Sequence, residues 1–295
     1  MTALANFVMR GRYQALLVAV AGSGSFLFCW ISAAVVALVT LRQGAASGAW
    51  LLMWAVLPAG VLAVVFGDSG PLQVLLGTAA LAFVLRATVS LATTLLAAVA
   101  VGFISGVLAL LLAEPLLQQL VSLFGEFLTN MEQQLSQGDE TVTLTRPTVT
   151  QVAGMMGVGT AMLSVLCVLL ARYWQAALYN PEGFGKEFRA LRYPAGVATA
   201  LVLAALGLAS LGQEMRTWAV ICALPLSFAG LALMHARAAA KGQGSGYLAV
   251  FYTAWVLFDP VKLFVMGFAI ADSWIDFRSR WVKASYPGRP ERDDD

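Results

Sequence analysis

Residues 247–280 read YLAVFYTAWVLFDPVKLFVMGFAIADSWIDFRSR. This run is long enough to cross a bilayer as one helix, because a membrane span needs roughly 20 apolar residues. Near its middle, however, it contains Asp259, Pro260 and Lys262. Charged groups inside a membrane are costly, and they mark functional sites or helix breaks. The topology of the chain therefore depends on whether this segment forms one span or a broken pair of helices.

The composition predicts an all-α, polytopic helical membrane protein. The chain has 295 residues, of which 60% are hydrophobic and 12% are charged. About 25% of the residues are charged in a typical soluble domain. The mean hydropathy is +0.79. The net charge of +2 is too small to indicate a nucleic-acid partner.

Apolar segments recur along the whole chain, and we expect about eight transmembrane helices, give or take one. The first two segments are separated only by GSGS at 22–25, so they are two helices with a tight turn or one broken helix. The fourth and fifth meet at Arg86. The segments are 13–22, 25–41, 49–66, 71–86, 88–113, 150–173, 194–212, 217–235 and 247–272. They form one membrane domain, divided into N-terminal helices (1–113), a non-spanning segment (114–147), C-terminal helices (148–273) and a charged tail (274–295).

The positions of basic residues predict the orientation. With nine crossings, Arg10, Arg12, Arg42, Arg86, the basic residues of the loop 172–192, and His235, Arg237 and Lys241 fall on one side with the N-terminus. The positive-inside rule assigns that side to the cytoplasm. The tail, with Arg278 and Arg280, would then lie on the opposite side. Three explanations remain open: residues 13–41 form one span, the last segment is a broken hairpin, or the tail breaks the rule.

Residues 115–137 differ from the spans because their apolar residues alternate with polar ones at helical spacing. This pattern predicts an amphipathic helix. Pro115 suits a first helical turn, and Gly138 suits a C-terminal stop. The helix is acidic, so we expect it to cover the outer mouth of the bundle or to pack on a partner. The apolar positions are Leu116, Leu117, Leu120, Phe124, Phe127, Leu128, Met131 and Leu135.

The break at residue 259 is the candidate substrate site. Asp259 and Lys262 share a helix face and can pair, and Pro260 frees an upstream carbonyl. Alternatively, Asp259 is an N-cap that starts a new helix. Arg86 lies either in a tight turn or in the bundle interior, where it needs an anion. The candidate substrate-binding residues are Arg86, Tyr252, Trp255, Asp259 and Lys262.

Two further segments are candidate partner surfaces. The loop 173–194 is basic and aromatic, which is typical of an interfacial helix, or of a coupling helix that docks a cytoplasmic protein. The segment 272–278 is expected to be an interfacial anchor, in which Arg278 pairs with Asp276 or with lipid. The residues are Phe184, Lys186, Phe188, Arg189, Arg192, Asp272, Trp274, Asp276 and Arg278.

No motif predicts an enzyme, a metal site or a cofactor. The three cysteines lie far apart and the chain has one histidine, His235, so spacing builds no metal-ligand cluster. The sequence contains neither a Walker motif nor HExxH. Glycines at 102, 106 and 154–159 predict close helix packing. Two functions remain open: a substrate-binding transport subunit, or a membrane scaffold or assembly factor that transports nothing.

Three motifs resemble the YybS-like family of bacterial integral membrane proteins, a domain of unknown function. They are LRxG at 41–44, NPEGF at 180–184 followed by Phe188-Arg189, and DSWIDFR at 272–278. Prolines that are frequent in this family before LRxG are replaced here by ISAAVV at 31–36. The family is distantly similar to the substrate-binding S components of energy-coupling factor transporters, which lack their own ATPase. The resemblance implies a multi-pass protein of the bacterial inner membrane.

Overall fold

A computed structural model describes residues 2–136 and 143–285, and these residues fold into helices with no strand among them. The predicted stop at Gly138 and the tail beyond residue 285 lie outside the described residues. The helices are α1 (Thr2–Met9), α2 (Arg12–Ser23), α3 (Cys29–Gln43), α4 (Ala45–Phe66), α5 (Gly70–Thr88), α6 (Leu91–Leu112), α7 (Glu114–Leu135), α8 (Val149–Tyr179), α9 (Gly183–Ala190), α10 (Ala195–Ser210), α11 (Gln213–Ala240), α12 (Ser245–Leu257), α13 (Asp259–Ile275) and α14 (Phe277–Ser285).

Among the described helices, five are long and apolar enough to cross a membrane: α4, α5, α6, α8 and α11. The number rises to seven if the bent pairs α9–α10 and α12–α13 each count as one span. The chain is therefore a helical membrane protein with five to seven candidate spans. This is fewer than eight, and seven is the lower limit of the predicted range. The difference from eight arises because α2 and α3, of 12 and 15 residues, are each too short for a full span.

The chain divides into two compact units. The first contains Met1–Phe184 and Ala204–Cys222, and the second contains Gly185–Leu203 and Ala223–Asp295. The boundary passes through helices α9, α10 and α11, so the units are not consecutive segments of the sequence. Each unit is described by itself.

Helix α3 is the central element of the first unit. Its residues from Ala33 to Leu38 are fully buried, and it packs against α2, α4, α5 and α8. Helices α2 and α3 form a hairpin, in which the Ser32 hydroxyl donates to the Ala19 carbonyl at 2.6 Å. The first two apolar segments are thus two helices with a tight turn. The start of α2 and the end of α3 lie together, because Arg12 and Gln43 line the same crevice.

Glycines bring α6 and α8 into close contact, as the sequence predicts. A Cβ added to Gly157 would lie 2.5 Å from the Gly102 carbonyl oxygen, and one on Gly106 would lie 3.0 Å from that of Ala153. Larger side chains would force the helices apart. Leu117, from α7, is fully buried in the adjoining cluster.

Helix α7 confirms the amphipathic helix predicted at 115–137. Pro115 occupies its first turn. After the helix the chain returns along it, because the Glu132 carboxylate accepts the Leu144 N–H at 2.6 Å and pairs with Arg146 at 2.9 Å. Leu117 is the one described residue of α7 that is fully buried.

The core of the second unit forms where the C-terminal half of α11 meets the last three helices. Leu233, Met234 and Val265 are buried there against Trp255, Phe277 and other apolar side chains. A Cβ on Gly230 would lie 2.6 Å from the Val265 carbonyl oxygen. The missing side chain of Gly230 therefore allows α11 and α13 to approach closely.

Candidate functional site in the last helix pair

Helices α12 and α13 meet at a sharp bend. Their axes are bent by 115°, and Phe258 at the break has an extended backbone (φ −122, ψ 108). With 13 and 17 residues, the helices are about 20 and 26 Å long, each shorter than a hydrocarbon core of about 30 Å. The pair is therefore a broken span or a re-entrant loop, and the predicted interruption is present.

Asp259 and Lys262 form an ion pair at the start of α13. The Lys262 Nζ lies 2.6 Å from Asp259 Oδ1, and the two side chains are 41% and 89% exposed. Phe258, not Asp259, is the N-cap, and α13 has no side-chain capping hydrogen bond. Asp259 instead lies in the first helical turn, where the helix dipole favours a carboxylate. The predicted pairing of the two residues is present.

Large apolar side chains surround the ion pair and are also exposed. Leu257, Phe258, Leu263 and Phe264 are each at least 59% exposed. Trp255 packs in the core of the second unit, and the Lys262 ammonium lies 5.7 Å from the centre of its ring. The bend thus carries an exposed ion pair on an otherwise apolar surface.

Tyr252 and Arg86 bond elsewhere. The Tyr252 hydroxyl lies 2.8 Å from His235 Nε2. Arg86 belongs to the first unit, where its Nη1 donates to the carbonyls of Thr40 at 3.1 Å and Leu41 at 2.9 Å. Helix α5 ends two residues later, so Arg86 lies beside a turn between separate helices and satisfies carbonyls at the end of α3. Of the predicted substrate residues, Trp255, Asp259 and Lys262 come together.

The segment 272–278 is part of a carboxylate–arginine cluster, formed by Arg192, Asp272, Asp276 and Arg278. The Asp272 carboxylate accepts the Phe277 N–H at 2.9 Å and lies 3.1 Å from Arg278 Nε. Arg192 Nη1 lies 3.0 Å from Asp276. The sequence predicted an Arg278–Asp276 pair or a lipid contact, whereas Arg278 pairs with Asp272.

The cluster fixes the end of α13 to the segment that follows α9. Arg278 donates to the carbonyls of Arg189 and of Leu191, the latter at 2.7 Å. Burial lowers the pKa of Arg278 and Asp272 raises it, and an arginine stays charged under such conditions. The pKa of Asp276 lies below its ordinary value, chiefly because its carboxylate accepts a hydrogen bond from the Ser279 N–H and, to a smaller extent, because Arg192 lies close.

Of the other predicted partner residues, Phe184, Lys186 and Phe188 lie on α9 and Trp274 lies on α13. Phe184 contacts Tyr173 edge to face, with ring centroids 6.2 Å apart. The Phe188 ring lies 5.5 Å from that of His235. Lys186 is exposed, and Trp274 is 67% exposed although Asp272 on the same helix is buried. Sequence reasoning did not identify His235 as a Tyr252 partner, and the only available signal was that it is the single histidine.

Comparison with known proteins identifies no relative: no protein-family model matches the chain, and no curated protein or solved structure matches it. The fold therefore defines only the class, a helical membrane protein.

Proposed function

We propose that the chain is a transporter-like membrane subunit that binds a substrate and has no ATPase of its own. The α12–α13 pair carries the site in this proposal. The observation that supports it is the exposed Asp259–Lys262 ion pair at a helix break inside an apolar segment. Broken helices with ionisable residues at the break are how many transporters build substrate sites.

The energetics of charge favour a polar occupant at this bend. On insertion scales an Asp or Lys at the bilayer centre costs about 2.5–3.5 kcal/mol. Pairing at 2.6 Å offsets part of this cost, but the exposed edges of both groups still need water or a ligand. A small polar solute with at least one charged group fits, with Lys262 and the N-terminus of α13 for an anionic part and Asp259 for a cationic part.

The proposal includes a topology in which α12 and α13 enter the membrane and return. The basic residues of the second unit support it, because Lys241 precedes the pair and Arg278 and Arg280 follow it. If the pair returns, these residues share one side, and the tail no longer breaks the positive-inside rule. We place that side and the N-terminus in the cytoplasm of a bacterium. Membership of the YybS-like family, with its likeness to S components, remains a prediction.

The test is a ligand screen on the full-length protein in lipid nanodiscs. Charged small solutes are added one at a time, and thermal unfolding is followed. We expect a hit to stabilise the wild type and to bind at least tenfold more weakly to Asp259→Asn and Lys262→Gln. Asp68→Asn and Arg216→Gln, in the first unit, are the matched controls. If Lys262→Gln bound the hit as tightly as the wild type does, the binding site would not be at the bend.

The alternative is a membrane scaffold or assembly factor that binds proteins and transports nothing. Helix α7 favours it, because Leu123, Phe124 and Phe127 are exposed on its apolar face. A photo-crosslinker at Phe127, with one at Trp274 in the second unit, would capture a specific protein in native membranes. Recovery of lipid alone would count against this alternative. We propose neither enzymatic activity nor a cofactor for the chain.

A further inference from the structure

Two arginines lie where the α2–α3 hairpin opens at one end of the first unit. A crevice there is lined by Arg12, Gln43 and Trp50, among other residues. Arg42 precedes Gln43, and its guanidinium lies 4.0 Å from the centre of the Tyr179 ring at the end of α8. The Arg12 side chain thus lies at the starts of α2 and α4, and the Arg42 side chain, from the neighbouring end of α3, lies at the end of α8.

Each of the two guanidinium groups lies over an aromatic ring. Arg12 lies 5.5 Å from the centre of the Trp50 ring. Within the described part of the chain, neither Arg12 nor Arg42 makes a side-chain hydrogen bond or an ion pair. A guanidinium has five N–H donors in its plane. A cation–π contact uses none of these donors in a conventional hydrogen bond, so they can still bind a planar or tetrahedral oxyanion.

No carboxylate of the described residues forms an ion pair with Arg12 or Arg42. Glu182 follows Tyr179 by three residues but has contacts of its own. The sequence has no Asp or Glu before Asp68, and Asp68 follows the opposite end of α4. Two other arginines of the same unit have such partners: Arg146 pairs with Glu132, and Arg86 donates to carbonyls at the end of α3. Arg12 and Arg42 thus provide two cations without ion-pair partners at the same end of the unit, each held over an aromatic ring.

The surroundings place this site at the depth of lipid headgroups. Tyr13, beside Arg12, is 83% exposed, and Trp and Tyr concentrate at the membrane–water interface. Further along α2 and α4, Leu17 is 64% exposed and Met53 is 55% exposed. The cations are therefore continuous with an apolar surface that suits acyl chains, which a free phosphate ion would not use.

We propose that Arg12 and Arg42 bind the phosphate headgroup of an anionic phospholipid, with its acyl chains along the exposed faces of α2 and α4. Basic residues between transmembrane helices bind anionic headgroups in this way. Each arginine near the surface contributes about a fivefold gain in affinity. Loss of both would therefore lower the affinity by more than tenfold.

The test uses full-length protein in detergent, titrated with phosphatidylglycerol, cardiolipin or phosphatidylcholine and followed by native mass spectrometry. We expect the wild type to prefer the anionic lipids, and Arg12→Gln/Arg42→Gln to lose that preference by more than tenfold. Arg146→Gln/Arg216→Gln, which removes two charges elsewhere in the first unit, should keep it. Thermal unfolding of each variant without lipid shows whether it is folded.

Three results would overturn the proposal. One is unchanged anionic-lipid binding by folded Arg12→Gln/Arg42→Gln. Another is an equal loss in the Arg146→Gln/Arg216→Gln control, which would indicate only a bulk charge effect. The third is displacement of the lipid by millimolar inorganic phosphate, which would identify a free anion as the ligand. If the double variant fails to fold, the single variants Arg12→Gln and Arg42→Gln must each lower the affinity severalfold, and no decrease contradicts the proposal.

Discussion

Asp259 and Asp272 stand at opposite ends of the same helix and have opposite environments. Asp259, in the first turn of α13, has a side chain that is 89% exposed, and among the described residues it pairs only with Lys262. Asp272, in the last turn, has a side chain that is 2% exposed and pairs with Arg278. The helix dipole favours a carboxylate at the first position and disfavours one at the second. Asp272 therefore depends on its partners, whereas Asp259 does not.

The comparison distinguishes a structural role at the end of α13 from a proposed binding role at its start. The carboxylate–arginine cluster is bonded mainly within the protein, because Asp272 accepts from Phe277 and Arg278 donates to two carbonyls. The exposed Asp259–Lys262 pair at the bend has hydrogen-bonding capacity that the described residues do not use. We infer that the end of α13 fixes the second unit and that its start is available to a ligand.

The largest expected effect is the loss of the buried pair. Asp272→Asn leaves the Arg278 charge buried without its counter-ion, so we expect the free energy of unfolding to fall by about 3–5 kcal/mol. Denaturant titration of the detergent-solubilised protein measures it. The double variant Asp272→Asn/Arg278→Gln should lose less than the sum of the single variants, because they share one interaction. Strict additivity would mean that the pair is not coupled.

Two glycine substitutions test the contact between α11 and α13. Gly230→Ala places a methyl group 2.6 Å from the Val265 carbonyl oxygen, and backbone does not give way easily. We expect a loss of about 1–3 kcal/mol in the free energy of unfolding. Gly267→Ala, on α13 with no atom within 4 Å of the added methyl, should be neutral or stabilising by about 0.5–1 kcal/mol. Equal effects would contradict the described packing of α11 on α13.

Low pH should reduce the stability that the carboxylate–arginine cluster contributes, by less than the substitutions above. The folded-state pKa of Asp276 is below its ordinary value, so its contribution to stability is complete above the unfolded pKa of about 4 and is lost as the pH falls below it. We expect the midpoint of thermal unfolding to decrease between pH 6 and pH 3, and to decrease less in Asp276→Asn. In the first unit the pKa of Glu132 is also lowered, first by the Leu144 N–H and second by Arg146. The stability that Glu132 contributes is therefore also lost at low pH. A variant as acid-sensitive as the wild type would rule out this role for Asp276.

The smallest effect on stability belongs to the exposed pair. Asp259→Asn and Lys262→Gln should change the free energy of unfolding by no more than about 1 kcal/mol, because exposed pairs contribute little. The same titration used for Asp272→Asn provides the measurement. A loss comparable to that of Asp272→Asn would show that the bend is structural, and the proposed distinction between the two ends of α13 would fail.

Local features of the fold were predictable from the sequence because they depend on neighbouring residues. The apolar run 88–113 becomes α6, and the amphipathic pattern at 115–137 becomes α7. The break near Asp259 follows from Pro260, which excludes an uninterrupted helix bond. The Asp259–Lys262 pair follows from a spacing of three residues.

Long-range features were not predictable from these patterns. In the sequence, Asp259 and Asp272 are both charges within one apolar run. Only the fold brings Arg192 to Asp272 and the Leu191 carbonyl to Arg278, the partner of Asp272. The sequence left open whether the first two apolar segments were two helices or one broken helix, because the return of α3 along α2 is set by packing, such as the bond from Ser32 to Ala19. Hydropathy alone does not distinguish a hairpin from two spans.

The most direct test of the re-entrant pair is the side of the membrane on which its two ends lie. Single cysteines replace Gln243, before α12, and Arg280, after α13, in a full-length chain whose Cys29, Cys167 and Cys222 are changed to alanine. A membrane-impermeant maleimide is applied to intact cells and to inverted vesicles. We predict that both cysteines react in the inverted vesicles and neither in intact cells. Reaction of the two from opposite sides would make α12–α13 a single broken span and contradict the account.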